Sequence, residues 1–268
     1  MVRVLRVSVS TYCPFFYFCP RCYVSYNLRT GVFKPSTISV DVFVKALEKF
    51  KPEWVALGGG EPLLESLSGL TCRLAKIARG KGVNVEVTSS VPSVKSLSRV
   101  IGFLNHLQIS YGLGRFTSNH VGEAVKVARE NGVSYGFNVL LTEEVLDSGL
   151  GFFREIIGKY KPHVLVTILP RIFRLSGSYV RRFFRMLPML FLECLENNVR
   201  LGLDCVSARI LGLNVEEGLT LLPDGRVVLC STYPNISSHS ECPDLKYYLH
   251  RISGKHINTS FSIFQSET

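Results

Sequence analysis

Three cysteines lie close together near the start of the chain. Cys13, Cys19 and Cys22 follow a short apolar segment, and the next cysteine along the chain is Cys72. Three thiolates on one loop can bind a metal ion or an iron–sulfur cluster and leave one coordination position open, whereas structural metal sites are usually closed by four protein ligands. The spacing therefore predicts an open metal centre of the kind used in catalysis.

A zinc knuckle is the alternative interpretation of the same cysteines. Cys19 and Cys22 form a Cys-Pro-Arg-Cys motif, which needs only two further ligands from elsewhere in the chain to make a closed zinc site. Disulfides are not expected, because the N-terminal segment does not resemble a secretion signal and closely spaced cysteines in a reducing compartment favour metal binding. We expect a soluble, cytoplasmic protein with no membrane-spanning segment.

A glycine run forms the second motif. The apolar segment 54–57 ends in three glycines, which are followed by Glu61 and Pro62. Glycine lets a backbone approach a ligand closely, and a glutamate can accept hydrogen bonds from a cationic group. A loop of this composition lets a ligand come close to its backbone.

The segments that position these motifs alternate between the period of a strand and the period of a helix. Helices are predicted between the strands, including one over 143–159 and a basic one over 178–197, and Ser39 is placed to cap the first of them. The strands are predicted at residues 3–10, 54–57, 83–87, 106–110, 137–141 and 163–169.

This rhythm predicts an α/β fold with parallel βα units, either as an open doubly wound sheet or as a partial barrel. In both architectures the functional loops follow the carboxyl ends of the strands. The cysteine loop follows the first strand and the glycine run follows the second. The two motifs are therefore expected on one edge of the sheet.

The rhythm changes after about residue 200. A hairpin is predicted from segments 219–222 and 226–229, joined by a Pro-Asp-Gly turn. Cys205 precedes this hairpin, Cys230 ends it and Cys242 follows it. We expect three regions: a core over 1–200, an extension over 201–253 and a polar tail over 254–268.

The chain is basic, with 31 Lys and Arg against 21 Asp and Glu, a formal charge of +10. That balance favours acidic partners such as RNA, nucleotides or an acidic peptide. The basic residues are densest from Arg171 to Arg185. They could guide an acidic partner, or they could form the solvated face of a helix.

The two motifs, in their places after the first and second strands, resemble those of the radical S-adenosylmethionine (SAM) enzymes. This resemblance implies a partial (β/α)6 TIM-like barrel and a [4Fe–4S] cluster bound by Cys13, Cys19 and Cys22, with SAM chelating the fourth iron. It also implies that the Gly-Gly-Glu-Pro loop orients the methionine amino group of SAM. The residues of that loop are Gly59, Gly60, Glu61 and Pro62.

The resemblance reaches further residues and includes two departures. Ser110 and Asn138 are implied as cofactor contacts, and Thr88, Ser89 and Ser90 occupy the place of another loop of the family. The cysteine spacing is C-x5-C-x2-C, longer than the usual C-x3-C-x2-C. Arg21 stands where an aromatic residue usually packs near the adenine, so that contact would fall to Tyr17, Phe18 or Tyr23.

The C-terminal hairpin resembles the twitch and SPASM extensions, which carry auxiliary iron–sulfur clusters. By this resemblance Cys205, Cys230 and Cys242 would bind an auxiliary cluster, with His239 or substrate in a fourth position. A zinc site, or cysteines without any ligand, is the alternative.

Together these expectations describe a radical SAM enzyme that acts in peptide or protein modification or in cofactor maturation. The resemblance implies SAM and a [4Fe–4S] cluster as cofactors, and an electron donor such as ferredoxin or flavodoxin. The substrate would be a peptide, a protein or a small molecule. RNA modification is the alternative within the same chemistry, and a non-enzymatic zinc or iron–sulfur binding module is the alternative outside it.

Overall fold

The structure is a computed structural model that describes residues 2–14, 22–112, 118–170, 174–214 and 218–253. Several predictions concern residues outside this description: those for Cys19, for Tyr17, Phe18 and Arg21, for Arg171 and for the polar tail. Within the described part, no helix combines the length and the hydropathy needed to cross a membrane.

Nine strands are described. They are β1 (Val4–Ser10), β2 (Trp54–Gly59), β3 (Asn84–Ser89), β4 (His106–Tyr111), β5 (Ser134–Leu140), β6 (Val164–Ile168), β7 (Arg200–Leu203), β8 (Leu219–Leu221) and β9 (Val227–Val228).

Ten α-helices connect or follow them. They are α1 (Tyr23–Arg29), α2 (Val40–Phe50), α3 (Glu65–Gly80), α4 (Val94–Val100), α5 (Ser118–Glu130), α6 (Glu143–Ser148), α7 (Leu150–Tyr160), α8 (Gly177–Glu196), α9 (Cys205–Ile210) and α10 (Pro243–Ser253). Short 3₁₀ turns occur at Ile101–Phe103 and His239–Glu241.

The strands form one sheet in the order β7-β6-β5-β4-β3-β2-β1-β8-β9, and every neighbouring pair is parallel except β8–β9. The predicted α/β fold with a C-terminal hairpin is confirmed. The sheet is open, as expected of a partial TIM-like barrel.

The two faces of the sheet differ in polarity, because neighbouring residues of a strand point to opposite faces. One face is apolar and packs into the hydrophobic core with the helices; Leu5, Val7 and Val9 of β1 represent it. The other face, called the inner face below, carries polar side chains on β1, β3, β4 and β5. The strand pairing aligns its residues in rows, including Ser8 with Gly58, Glu86 with His106, Thr88 with Gln108, and Ser110 with Asn138.

Three features differ from the prediction. β7 adds a seventh parallel strand, missed because it is only four residues long. The helix predicted over 143–159 is two helices, α6 and α7, because Gly149 between them has φ 59° and ψ −145°, which no helix continues through. α1 lies before the helix that Ser39 caps, where no helix was predicted. The predicted cap is confirmed, since Ser39 accepts a hydrogen bond from the Val42 amide.

The C-terminal hairpin belongs to the main sheet, because β8 pairs with β1. Beyond the hairpin, the chain contacts both the first and the last βα units. The Asn27 amide of α1 donates to the carbonyl oxygens of Ser231 (3.3 Å) and Thr232 (3.1 Å). The next side chain, Tyr233, hydrogen-bonds with Asp244 of α10 and with Arg174, which follows β6. Residues 231–233 therefore hold the beginning and the end of the barrel together.

Asn27→Ala tests this connection. Asn27 is almost completely buried, and its loss leaves two carbonyl groups without their donor, so we expect the free energy of unfolding to fall by about 2–3 kcal/mol. Asn131→Ala is the control, because Asn131 directly follows α5 and its exposed amide donates to the Val127 carbonyl one turn earlier, a contact that should contribute less than about 0.5 kcal/mol. Equal stability of the two variants in urea unfolding would contradict the connection.

Candidate functional site

The cysteine loop leaves β1 at the carboxyl edge of the sheet, and two of its three cysteines line one cavity. Cys13 and Cys22 border a cavity of about 100 Å³. The structure thus brings together the two predicted ligands that it describes, and their soft thiol donors fit zinc or an iron–sulfur cluster. The cavity is also lined by Thr11, Tyr12, Val24, Ser25, Leu28 and Pro35.

The start of the cysteine loop is held in place by the segment before α2. The Thr11 amide donates to the Ser36 carbonyl (2.9 Å), and the Ser36 amide donates to the Thr11 hydroxyl (2.9 Å). The Tyr12 amide donates to the Ser10 hydroxyl (2.9 Å). Cys13 therefore follows a backbone that is fixed by three hydrogen bonds.

The glycine loop packs directly against this backbone. The Gly60 amide donates to the Ser10 carbonyl at 2.7 Å, and a Cβ on Gly60 would lie 2.2 Å from the Tyr12 carbonyl oxygen. Gly59 has φ +93°, and a Cβ there would lie 2.8 Å from the Ser8 Cα. These positions require glycine because β2 must approach the end of β1, a reason that is independent of any ligand.

Glu61 is a buried carboxylate that joins two loops. Its Oε1 accepts from the Ser89 hydroxyl (2.5 Å) and the Leu63 amide (3.0 Å), and its Oε2 accepts from the Ser90 hydroxyl (2.7 Å) and the Ser90 amide (2.9 Å). Burial raises the pKa of the Glu61 carboxyl, and these four hydrogen bonds oppose that shift. Since a carboxylate has about four acceptor positions, protein donors occupy all of them. Glu61 thus fastens the glycine loop to the end of β3.

The remaining predicted residues of the glycine loop and of β3 make separate contacts. The Pro62 carbonyl accepts from the Thr71 hydroxyl of α3 at 2.7 Å. Thr88, by contrast, points to the inner face and donates to Glu86 at 3.2 Å. Ser89 and Ser90 were predicted as a loop of the family, and the structure shows them bound to Glu61. The sequence offered no signal for this pairing, because residues 61 and 89 are distant along the chain.

Ser110 and Asn138 lie side by side on the inner face, near the carboxyl ends of β4 and β5. Among the described residues, neither the Ser110 hydroxyl nor the Asn138 amide nitrogen has a hydrogen-bond partner. Asn138 Oδ1 accepts from the amide of Gln108 at 2.9 Å. Sequence reasoning missed Gln108, although His106 and Gln108 are polar residues at alternate positions of an otherwise apolar strand.

The three C-terminal cysteines occupy different environments. Cys205 begins α9, and Cys242 is buried in the main core. Cys230 lies near Tyr23: burial raises the pKa of the Tyr23 hydroxyl, a hydrogen bond with Ser231 opposes this, and Cys22 and Cys230 add to the rise. Within the described residues, no group of three or more potential ligands is arranged to hold a metal ion. The side chain of His239 is outside that description.

The arginines of the basic region make contacts within the protein. Arg174 donates to the buried Asp244 at 2.9 Å and lies over the Tyr247 ring. Arg181 donates to the Arg251 carbonyl (3.1 Å), and Arg182 forms an ion pair with Asp147. These contacts dock α8 onto α6 and α10, which agrees with a structural role for this region.

Comparison with known proteins identifies the fold. No protein-family model matches the sequence, and no curated protein matches it significantly. Among solved structures, anSMEcpe with bound AdoMet is similar at a TM-score of 0.63 with 16% identity, over 86% of this chain and 74% of that chain. The complex of anSMEcpe with AdoMet and the Kp18Cys peptide has a TM-score of 0.62 and 14% identity, over 93% and 83% of the two chains.

Methylornithine synthase (PylB) is a third similar structure, with a TM-score of 0.54 and 14% identity, over 94% of this chain and 81% of that chain. At such identities the likeness shows a common fold. More than nine tenths of this chain is matched in two of the three comparisons.

Gly60→Ala tests the contact between the two loops. The added methyl group would overlap the Tyr12 carbonyl, so we expect a loss of about 1–3 kcal/mol in the free energy of unfolding. Gly58→Ala is a matched control: its Cβ would meet only Thr88, at an ordinary contact distance of 3.8 Å. Urea unfolding measures both variants, and equal stability would contradict the predicted contact.

Glu61→Gln tests the role of the buried carboxylate. The amide nitrogen would face protein donors in place of an acceptor, so we expect a loss of about 2–4 kcal/mol. In the control Glu65→Gln, an exposed partner of Lys95 is neutralised, which should cost less than about 1 kcal/mol. Thermal unfolding at neutral pH distinguishes the two, and a Glu61→Gln protein with wild-type stability would show that the network contributes little.

Proposed function

We propose that this protein is a radical SAM enzyme. The observation that carries the proposal is the contact between its two motifs: Gly60 packs on the backbone carbonyl of Tyr12, the residue before Cys13, while Cys13 and Cys22 line one cavity. A metal centre on the cysteine loop would therefore be adjacent to the glycine loop. This is the adjacency that the chemistry requires, because one ligand must contact both.

In this proposal Cys13, Cys19 and Cys22 hold a [4Fe–4S] cluster. When bound and reduced, the cluster supplies the electron that cleaves SAM to methionine and a 5′-deoxyadenosyl radical, which removes a hydrogen atom from the substrate. The backbone carbonyls of Gly59 and Gly60 accept hydrogen bonds from the ammonium group of SAM, because the acceptor positions of the Glu61 carboxylate are already occupied by protein donors. Glu61 and Pro62 keep this loop in its conformation.

The inner face of the sheet supplies the rest of the pocket. Ser110 and Asn138 contribute a hydroxyl and an amide at the carboxyl edge, where barrel enzymes bind their ligands. Tyr23 follows Cys22 directly and is the aromatic candidate nearest to the loop among the described residues. The apolar core behind the strands excludes water from one side of the pocket, which a radical reaction requires.

The proposed substrate is a peptide or a protein side chain. The similar structure of anSMEcpe holds a peptide together with AdoMet, and the likeness to it extends over 93% of this chain. A net charge of +10 favours an acidic peptide, and an acidic electron donor such as ferredoxin or flavodoxin. A small amino acid is the second substrate class, by likeness to methylornithine synthase.

Anaerobic reconstitution tests the function. We expect about four iron atoms per chain bound by the cysteine loop, and 5′-deoxyadenosine formed from SAM after reduction. Both should be lost in the triple variant Cys13/Cys19/Cys22→Ala and kept in Cys72→Ala, whose thiol donates to the Arg99 carbonyl away from the loop. A colourless protein that binds zinc and leaves SAM intact would support the zinc module instead.

The same iron count tests the auxiliary cluster, whose support is the sequence resemblance. If Cys205, Cys230 and Cys242 bind a cluster, the wild type should contain iron above the content of the first site. The excess should disappear in Cys205/Cys230/Cys242→Ala. Identical iron content in the two proteins would rule the auxiliary cluster out.

A further inference from the structure

A series of buried, hydrogen-bonded side chains, called the relay below, runs along the inner face from His106 through Gln108 to Asn138. The Nε2 atom of His106 lies 2.8 Å from Gln108 Oε1, and the Gln108 amide donates to Asn138 Oδ1 at 2.9 Å. His106 and Gln108 are only 8% and 4% exposed. At the far end, His106 Nδ1 lies 2.7 Å from the Ser134 hydroxyl. Buried polar groups that are fully paired in this way specify one arrangement of their surroundings.

The backbone of β5 makes room for the relay. Gly136 is the residue of β5 that is paired with Gln108, and a Cβ on Gly136 would lie 2.5 Å from the Val164 carbonyl oxygen and 2.6 Å from Gln108 Oε1. A glycine is therefore required both by the backbone of β6 and by the Gln108 amide, which lies across β5 and reaches Asn138.

The hydrogen bonds of the relay run in one direction, from donor to acceptor. Gln108 Oε1 accepts from His106, so its nitrogen faces Asn138 and donates to Oδ1. His106 must then carry its proton on Nε2. Nδ1 then accepts the single proton of the Ser134 hydroxyl, which also lies 2.9 Å from the Asn105 carbonyl oxygen. The consequence lies at the other end: Asn138 turns its carbonyl oxygen inward and its Nδ2 outward, beside the Ser110 hydroxyl. Within the described residues, Nδ2 has no partner.

We propose that His106 and Gln108 are positioning residues that present the Asn138 amide nitrogen to the ligand as a hydrogen-bond donor. The inference rests on the proposed function, which makes the ligand SAM. The group recognised is an oxygen acceptor, a carboxylate or ribose oxygen of SAM. If these residues only stabilised the fold, it would not matter which atom of the Asn138 amide faces the ligand. An experiment must therefore test the direction of the hydrogen bonds.

Asn138→Asp tests the direction. The aspartate can still accept from Gln108 but presents an oxygen outward, where it repels an acceptor on the ligand. We expect the SAM dissociation constant, measured by equilibrium dialysis on the anaerobically reconstituted protein, to rise more than about tenfold. Unchanged or tighter binding would overturn the proposal, because it would mean that the ligand offers a donor or does not reach Asn138.

Gln108→Met tests the coupling, because methionine has a similar shape but no amide. Asn138 would keep its amide and lose its orientation, so we expect SAM binding to weaken about three- to tenfold. In a protein that already carries Asn138→Ala, adding Gln108→Met should not raise the SAM dissociation constant further. If the fold-changes of the two substitutions multiply in the double variant, they act independently and the proposal is overturned. Tyr135→Phe, which removes buried hydrogen bonds on the opposite face of β5, should lower the melting temperature and leave the SAM dissociation constant unchanged.

A second readout does not depend on SAM. In the NMR spectrum of the wild-type protein, the Asn138 side-chain amide, identified by its absence in Asn138→Asp, should give one sharp pair of signals. Gln108→Met should shift or broaden that pair, and an unaltered pair would overturn the relay even if SAM binds. If the wild type fails to bind SAM while the signals respond as expected, the proposed function fails and the relay stands.

Discussion

The structure depends on the close approach of β2 to β1 at their carboxyl ends. Two positions without a side chain, Gly59 and Gly60, let the second loop lie against the backbone of Ser8 and Tyr12. Any larger residue would separate the loops by at least the size of a methyl group. The approach fixes the chain immediately before Cys13, so the position of the first thiol is set by backbone packing, which is more rigid than a side-chain contact.

A second layer of interactions fixes the glycine loop from the other side. The Glu61 carboxylate is buried and accepts hydrogen bonds from four donors, two of them backbone amides, from the end of β3 and from its own loop. Carboxylates bound in this way are costly to disturb, because loss of one partner leaves a buried charge unsatisfied. The loops after β1, β2 and β3 consequently form one unit, to which β4 and β5 add Ser110 and Asn138 in register.

The sequence predicted the parallel βα order and the place of both motifs, because long apolar segments of clear period determine them. It could not predict β7, since a strand of four residues shows no period, nor that β8 of the predicted hairpin pairs with β1. It also missed how particular side chains are used. Glu61 was expected to bind a ligand, but its partners Ser89 and Ser90 become visible only once β2 and β3 are paired. The use of Gly136 likewise depends on its cross-strand partner Gln108, which no local pattern indicates.

The C-terminal part of the chain gives the open sheet a connection between its two ends. Residues 231–233 contact α1 on one side and, through Arg174 and Asp244, the segment after β6 on the other. The cysteine loop is therefore supported from both ends of the barrel. This arrangement explains why the hairpin and α10 are continuous with the sheet and its core.

The proposed function requires SAM to bind directly to a metal centre on the cysteine loop. Electron paramagnetic resonance of the reduced, anaerobically reconstituted protein can detect this binding, because a ligand on one iron changes the electronic structure of the whole cluster. We expect a [4Fe–4S] signal whose g values shift when SAM is added to the wild type. A signal that SAM leaves unchanged, or a protein that gives no iron signal and contains zinc, would contradict it.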